Sequence, residues 1–276
     1  MLPVAVSEPP SPVDRRQSLQ TLERGLDVIQ VFSRERPALT LSEVAQLAGI
    51  TRASARRILL TLQMLGHMRS DGRSFSPTPR LLSLGWAYLS SLSFTETAGL
   101  LLEELSDEVN EACSAATLDL PDAVYVARVP TRRMVSINLD VGSRVPATHS
   151  SMGRVLLADL PPEEVAAFVR AQQLTKYTKY TIVDPDALIA EVEKAYEQGW
   201  AIVDQELEIG LRSIAAPIRR ADGRVLAAAN ISAVSARVSL EQMRTQMLPS
   251  LLAAAEAISR ALVQQNTSRL GNPSRT

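Results

Sequence analysis

The chain has 276 residues, a net charge of −1, 46% hydrophobic residues and only 4% aromatics. That is ample material for buried cores, built mainly from Leu, Val, Ile and Ala, and the length suits two domains. A lone cysteine, Cys113, excludes an intrachain disulfide, and no window approaches transmembrane length, so a cytoplasmic protein without a membrane partner is expected.

The net charge conceals an asymmetry. Residues 18–80 hold nine basic against five acidic side chains, whereas residues 81–276 hold 18 against 23. A basic front and an acidic back suit a chain whose front meets a polyanion. Residues 1–17 are rich in Pro and Ser, lack a basic segment followed by an apolar one, and read as a disordered tail rather than a signal peptide.

Ser18 is read as the cap of a first helix in which Leu19, Leu22, Leu26, Ile29 and Phe32 recur at helical spacing, with Pro37 as its stop. A short second helix is predicted over residues 41–48. Gly49 supplies a turn, and Thr51 caps a third helix over residues 52–65 with Ala55, Ile58, Leu59, Leu62 and Leu65 facing inward. A short helix, a Gly-containing turn and a longer helix form the helix-turn-helix pattern, whose second helix offers its N-terminal residues to the DNA major groove. Here those are Thr51, Arg52, Ser54, Arg56 and Arg57. Arg reads guanine or grips phosphate; Ser and a helix N-terminus suit phosphate. Residues 67–77 read as a hairpin turning at Asp71 and Gly72, a wing that carries Arg69 and Arg73, with His67 at its base. The bland alternative is a three-helix packing module with a solvated Arg face.

Pro77 and Pro79 mark a break. Leu81, Leu82, Leu84, Trp86, Leu89 and Leu92 then form a dense apolar stripe, read as a linker helix over residues 81–94 that pairs with a second chain or packs on its own wing. A helix is predicted from Thr95 to near Cys113, followed by strands over residues 114–120, 123–129 and 135–141, the first two joined by a turn at Pro121 and Asp122. Helices are expected over residues 152–160, from Pro161 onward, and over 185–198 with Gly199 as the stop. A strand at 200–204 and a hairpin of 214–219 with 225–234 follow, then a last helix over 240–263. Helices flanking an antiparallel sheet make an α+β domain.

Two segments then carry a resemblance. Pro146-Ala-Thr-His-Ser-Ser-Met-Gly-Arg-Val-Leu-Leu-Ala158 and Gly199-Trp-Ala-Ile-Val-Asp-Gln-Glu-Leu-Glu-Ile-Gly-Leu-Arg-Ser-Ile-Ala-Ala-Pro217 resemble the effector-domain signature of the IclR family of bacterial regulators, and Leu22-Glu-Arg-Gly-Leu-Asp27 through Gly66 resembles its winged helix. The likeness runs in one order from Ser18 to about Gln264. Val126-Ala-Arg-Val-Pro-Thr-Arg-Arg133, residues 148–157 and Asp204-Gln-Glu-Leu-Glu208 are most similar to the branch controlling aromatic-acid and β-ketoadipate catabolism, of PcaR, PcaU and PobR type. The resemblance implies an α+β fold: a winged helix-turn-helix over residues 18–80, the linker helix, a GAF/PAS-like effector-binding domain over 95–265 with an antiparallel sheet flanked by helices, and a short tail over 266–276. It implies operator DNA, a small carboxylate effector and a second copy of the chain, in a dimer or tetramer, as partners, with no cofactor and no metal.

The expected effector residues follow from both readings. Thr148, His149, Ser150, Ser151 and Met152 form a loop that opens a helix, and a helix N-terminus favours an anion; simple capping by either serine is the plain alternative. Asn230 and Ser232 lie two apart on one strand and share a face, with Ser213 available beside them; they bond backbone or line a cavity, and the resemblance favours the cavity. Val145, Met152 and Leu211 would supply an apolar wall, and Asp204 and Glu206 alternate onto one face. Arg128, Arg132 and Arg133 are available to counter an acid. The rival class is a hydrolase using Ser150 or Ser151 with His149, or a sensor without DNA binding. No nucleophile elbow, metal spacing or phosphate loop supports an enzyme.

Overall fold

The computed structural model describes residues 18–92, 94–131 and 139–270, with side chains as far as residue 264. The chain forms two compact units, which divide between Ser91 and Leu92.

In the first unit, α1 (Gln20–Gln30), α2 (Leu41–Leu47) and α3 (Arg52–Met64) surround a core of Val28, Leu39, Val44, Ala45, Ala55, Ile58 and Leu59. Leu19 rather than Ser18 occupies the N-cap of α1, without a side-chain cap, and the helix ends at Gln30 rather than near Pro37. The Arg36 N–H closes a turn onto Ser33 O (3.1 Å), so the chain has left the helix before the proline. Thr40 and Glu43 form a capping box on α2, satisfying two of its free N-terminal donors. Ala55, Ile58 and Leu59 face the core as predicted, but Leu65 is the exposed C-cap of α3. β2 (Met68–Ser70) and β3 (Ser74–Pro77) are the predicted wing, extended by a third strand, β1 (Leu39–Thr40), which pairs with β3. Its turn is held by Asp71 Oδ1, which accepts from the backbone N–H groups of Arg73 and Ser74. After a 3-10 turn at Pro79–Leu81, α4 (Leu82–Leu89) buries none of its residues, and Leu82, Leu84, Trp86 and Tyr88 all stand exposed.

The second unit is a six-stranded antiparallel sheet in the order β6-β5-β4-β9-β8-β7. Its strands are β4 (Ala112–Asp119), β5 (Asp122–Val129), β6 (Arg144–Pro146), β7 (Ala201–Asp204), β8 (Leu211–Arg219) and β9 (Val225–Val234). The helices are α5 (Thr95–Val109), α6 (Ser151–Leu157), α7 (Pro162–Ala171), α8 (Pro185–Gln198) and a C-terminal α9. The last starts at Leu240–Gln242, passes through a π-helical turn at Met243–Met247 and continues over Leu248–Leu270, so residues 266–270 are helix rather than tail. α5 and α9 pack on one another and on the sheet; α6 packs on β4, β7, β8 and β9 and is backed by α8.

Several boundaries move for local reasons. α5 stops at Val109 because Asn110 turns left-handed (φ 55°), which starts β4 two residues before the predicted Ser114. β8 begins at Leu211 rather than Ile214, and α6 begins at Ser151 and stops at Leu157, short of the predicted Leu160. The short strand β6 was not legible; Arg144 fastens it by donating to Asp119 and Asp122. The strand expected over residues 135–141 is not found at residues 139–141; its remaining residues, Arg132, Arg133, residues 1–17 and residues 271–276 lie outside the described residues. No described helix is long and apolar enough to cross a membrane.

Candidate functional site

The candidate nucleic-acid face is α3 with the wing. Thr51 caps α3 by accepting from the Ser54 N–H (3.2 Å), and its hydroxyl donates to Ser54 Oγ (3.0 Å). Both side chains are thus partly committed to the helix start. Arg52, Arg56 and Arg57 are exposed on the side of α3 away from Ala55, Ile58 and Leu59, and Arg69 and Arg73 are exposed on the wing. None of these five arginines forms an ion pair among the described residues, so each is available to phosphate or base edges.

The second site lies on the α6 side of the sheet. A cavity of about 200 Å³ is bounded by α6 and the turn before it, by β4, β5, β7, β8 and β9, and by the loop joining β7 to β8. Alternation along the strands puts Val203, Ser213, Asn230, Ser232 and Ala112 on this face, with Ser213 opposite Ser232 and Ala112 opposite Ser232 in register. Val145, His149, Ser150, Ser151, Met152, Leu211, Ser213, Asn230 and Ser232 all line the cavity.

Thr148 and Asp204 do not. Thr148 is buried beside His149, and its hydroxyl contacts His149 Nδ1 at 2.8 Å. Asp204 accepts from Arg212 Nε at 2.9 Å. The expected alternation of Asp204 with Glu206 breaks because β7 ends at Asp204 and Gln205 adopts φ 61°, which turns the chain and sends Glu206 into the interior.

There Glu206 accepts from Arg154 Nη2 at 2.8 Å, while Arg154 Nε donates to Thr148 O at 3.0 Å. Burial pushes the Glu206 carboxyl above the usual range, against the pull of Arg154. Thr181 Oγ1 donates to Glu206 O, and Thr178 Oγ1 to Gln205 O, docking the segment before α8 onto the cavity loop.

His149 is fixed by its partners. Its Nε2 lies 2.9 Å from Ile182 O, which can only accept, so Nε2 carries the proton and Nδ1 accepts from Thr148. Burial holds its pKa below the ordinary histidine value. Ser150 Oγ caps α6 by accepting from the Gly153 N–H (3.1 Å), and Ser151 Oγ donates to Ser213 Oγ (2.8 Å). Neither serine is hydrogen-bonded to His149, whose ring nitrogens are both occupied, so the geometry supplies no serine–histidine nucleophile. α6 has only seven residues and its N-terminus is taken up in part by its own cap, which weakens the expected anion site there. Gly153 permits the tight approach of α6 to the preceding turn: a Cβ at this position would lie 2.1 Å from Ala147 O.

The wall also holds residues that strand and helix periodicity did not single out. Tyr125, Leu139 and Ile209 add apolar surface, and Glu111 and Arg237 add charge, beside Arg128, which the sequence offers as a counter to an acid. Glu111 and Arg237 are far apart in sequence but paired at 2.7 Å, a relation that no local spacing encodes.

The chain is similar to known proteins along nearly its whole length. Residues 21–72 match the family model described as "IclR helix-turn-helix domain", and residues 86–260 the one described as "Bacterial transcriptional regulator IclR C-terminal". The Pca regulon regulatory protein of Pseudomonas putida is 42% identical over 88% of this chain and 84% of its own length. The p-hydroxybenzoate hydroxylase transcriptional activator of Acinetobacter baylyi is 32% identical over 83% of this chain and 87% of its own. The crystal structure of an IclR homolog complexed with 4-hydroxybenzoate, from Microbacterium hydrocarbonoxydans, superposes with a TM-score of 0.78 at 25% identity, over 88% of this chain and 99% of that one.

Proposed function

The chain belongs to the IclR family of bacterial transcriptional regulators, and from that premise we propose that a small acid held in the cavity of the second unit controls its operator binding. The carrying observation is the cavity wall itself: Ser151, Ser213, Asn230 and Ser232, from three separate elements, converge on one cavity. Its volume of about 200 Å³ sets the ligand's size. A cavity of about 150 Å³ already admits benzene, so one six-membered ring with small substituents fills this one. Met152, Val145, Leu211 and Tyr125 enclose the ring, and the polar wall reads its substituents. The preferred ligand class is an aromatic acid, with a ring-cleavage product such as β-ketoadipate as the second member.

In this reading residues 18–80 bind DNA, residues 81–94 link, and residues 95–265 sense. Arg52, Arg56 and Arg57 enter the major groove, with Thr51 and Ser54 at the phosphate and Arg69 and Arg73 on the flanking backbone. The exposed apolar side chains of α4, with Trp86 63% exposed in the single chain, support self-association, which places two recognition helices on two half-sites. The protein acts in the cytoplasm, where its operator is.

To switch, the acid must bind one arrangement of the dimer better than another; equal affinity for both shifts nothing. Titration calorimetry of the full chain with benzoates and with β-ketoadipate tests the site. Binding that is abolished by Leu211→Trp, which fills the cavity, supports it; binding indifferent to that change places the ligand elsewhere.

A further inference from the structure

The ion pair between Glu111 and Arg237 lies on the cavity wall, and it is loosely made. The Glu111 side chain is 5% exposed, against 35% for Arg237. Both Glu111 oxygens accept from the same nitrogen, Arg237 Nη2, at 2.8 and 2.7 Å. Among the described residues the carboxylate has no other donor, and Arg237 Nε and Nη1 have no acceptor. Arg154 and Arg212 instead divide their nitrogens between a carboxylate and a backbone carbonyl. A carboxylate meets a guanidinium best fork to fork, through two nitrogens. Glu111 takes Arg237 by one.

The pair also joins two element boundaries. Glu111 lies between Asn110, left-handed at the end of α5, and Ala112, the first residue of β4. Ser106 Oγ, in the last turn of α5, donates to Glu111 O at 2.8 Å, so Glu111 cannot shift without pulling on α5. Arg237 lies between β9 and α9, where its N–H donates to Val234 O (2.9 Å). α5 and α9 pack on one another, and α5 is the helix through which the chain enters the second unit. One side-chain contact thus ties the cavity wall to the helix that follows the linker.

An acid in the cavity is a second carboxylate beside the same guanidinium. It offers Arg237 the two-nitrogen fork that Glu111 does not make, and its charge repels Glu111. A carboxylate at 5% exposure that loses its counter-charge is costly to leave in place. Relief comes from moving the end of α5, so that the Glu111 carboxylate reaches water. The unliganded and liganded chains then differ in the position of α5, which is the differential contact that a switch requires.

We propose that Glu111 is an internal competitor for the effector acid: it holds Arg237 in the unliganded chain, and the acid takes Arg237 from it and frees the end of α5. Glu111 is then a positioning residue that lowers acid affinity and in return transmits binding to the helix that follows the linker. This rests on the cavity being the effector site, and it adds the device by which that site acts.

Calorimetry and operator titration on the full chain test it together. Benzoate, the hydroxybenzoates and β-ketoadipate are titrated into the unaltered chain and into Glu111→Gln, which keeps the shape and removes the charge. The acids that bind should bind Glu111→Gln about tenfold or more tighter. The uncharged amide of the tightest-bound acid should change by less than about twofold. Glu111→Ala removes the contact outright, so its operator Kd without any acid should move by about threefold or more in the direction that acid moves the unaltered chain. Unchanged or weaker acid binding in Glu111→Gln overturns the inference, as does an equal gain for acid and amide, the mark of a merely roomier cavity. Parental operator affinity in acid-free Glu111→Ala also overturns it; should that variant not fold, Glu111→Gln is read in its place. In each of these cases, acid binding that Leu211→Trp abolishes leaves the cavity reading standing. Binding of no acid to the unaltered chain removes the site reading and this one together.

Discussion

Arg154, 1% exposed, donates to Glu206 across 2.8 Å in the interior, joining α6 to the loop that closes one side of the cavity. Arg154 also holds Thr148 O, so a single guanidinium ties the turn before α6 to the loop joining β7 to β8, both of which border the cavity. Removing one partner strands a buried charge. Arg154→Met is expected to cost about 3–5 kcal/mol of folding free energy. Glu206→Gln, which keeps an acceptor for the guanidinium, should cost less. Urea denaturation measures both; an Arg154→Met variant as stable as the parent would remove the pair from the account.

Gly153 offers a second test of the same joint. A Cβ there meets the Ala147 backbone at 2.1–2.5 Å, and backbone cannot swing aside as a side-chain tip can. Gly153→Ala should destabilise the sensing unit by about 3 kcal/mol or more and weaken acid binding. Thermal unfolding monitored alongside ligand titration checks both; near-parental values for the two would show that α6 can shift freely.

The environment of His149 gives a pH signature. Its folded pKa is depressed, chiefly by burial, so the neutral ring contributes stability that is fully present above the unfolded value near 6.5 and is lost as pH falls through the lower folded value. Protonation also turns Nδ1 from acceptor to donor against the Thr148 hydroxyl that it now receives. His149→Gln should therefore show a flatter stability profile below about pH 6.5 than the parent. Denaturation curves across pH 4–8 decide this; identical slopes in the two proteins would contradict it.

Much of this organisation was legible in the residues, and the rest was not for definable reasons. Helical spacing and end signals gave α8 from Pro185 to Gln198, with Gly199 in the left-handed conformation that a glycine stop supplies. The two-residue alternation put Asn230 and Ser232 on one face, and both reach the cavity. The same rule misplaced Asp204, because one residue at positive φ, Gln205, ended the alternation. β1 and β6 have two and three residues, too few to show a period, and exist through their pairing partners. Arg154 carries no local signal within an apolar helix run, since its partner lies 52 positions further on.

On the DNA side, Arg52, Arg56 and Arg57 should divide by role. An arginine that reads a base loses about 1–3 kcal/mol of affinity on substitution by alanine and relaxes preference at one operator position. An arginine on phosphate, the expectation for wing residues Arg69 and Arg73, weakens binding to all sequences and lowers the salt slope by about one. Anisotropy titrations at several salt concentrations separate the two. Parental affinity and specificity in all three α3 variants would mean that a different face of the first unit meets DNA.

The central claim couples the two units, so its most direct test is operator affinity measured with and without a cavity ligand. The acid that binds most tightly in calorimetry should change the apparent operator Kd of the unaltered chain by about tenfold or more, in either direction. In Leu211→Trp, whose DNA-binding unit is untouched, operator binding should persist while the response to the acid disappears. An acid that occupies the cavity yet leaves operator affinity the same in both proteins, or that shifts it equally in both, would contradict the account.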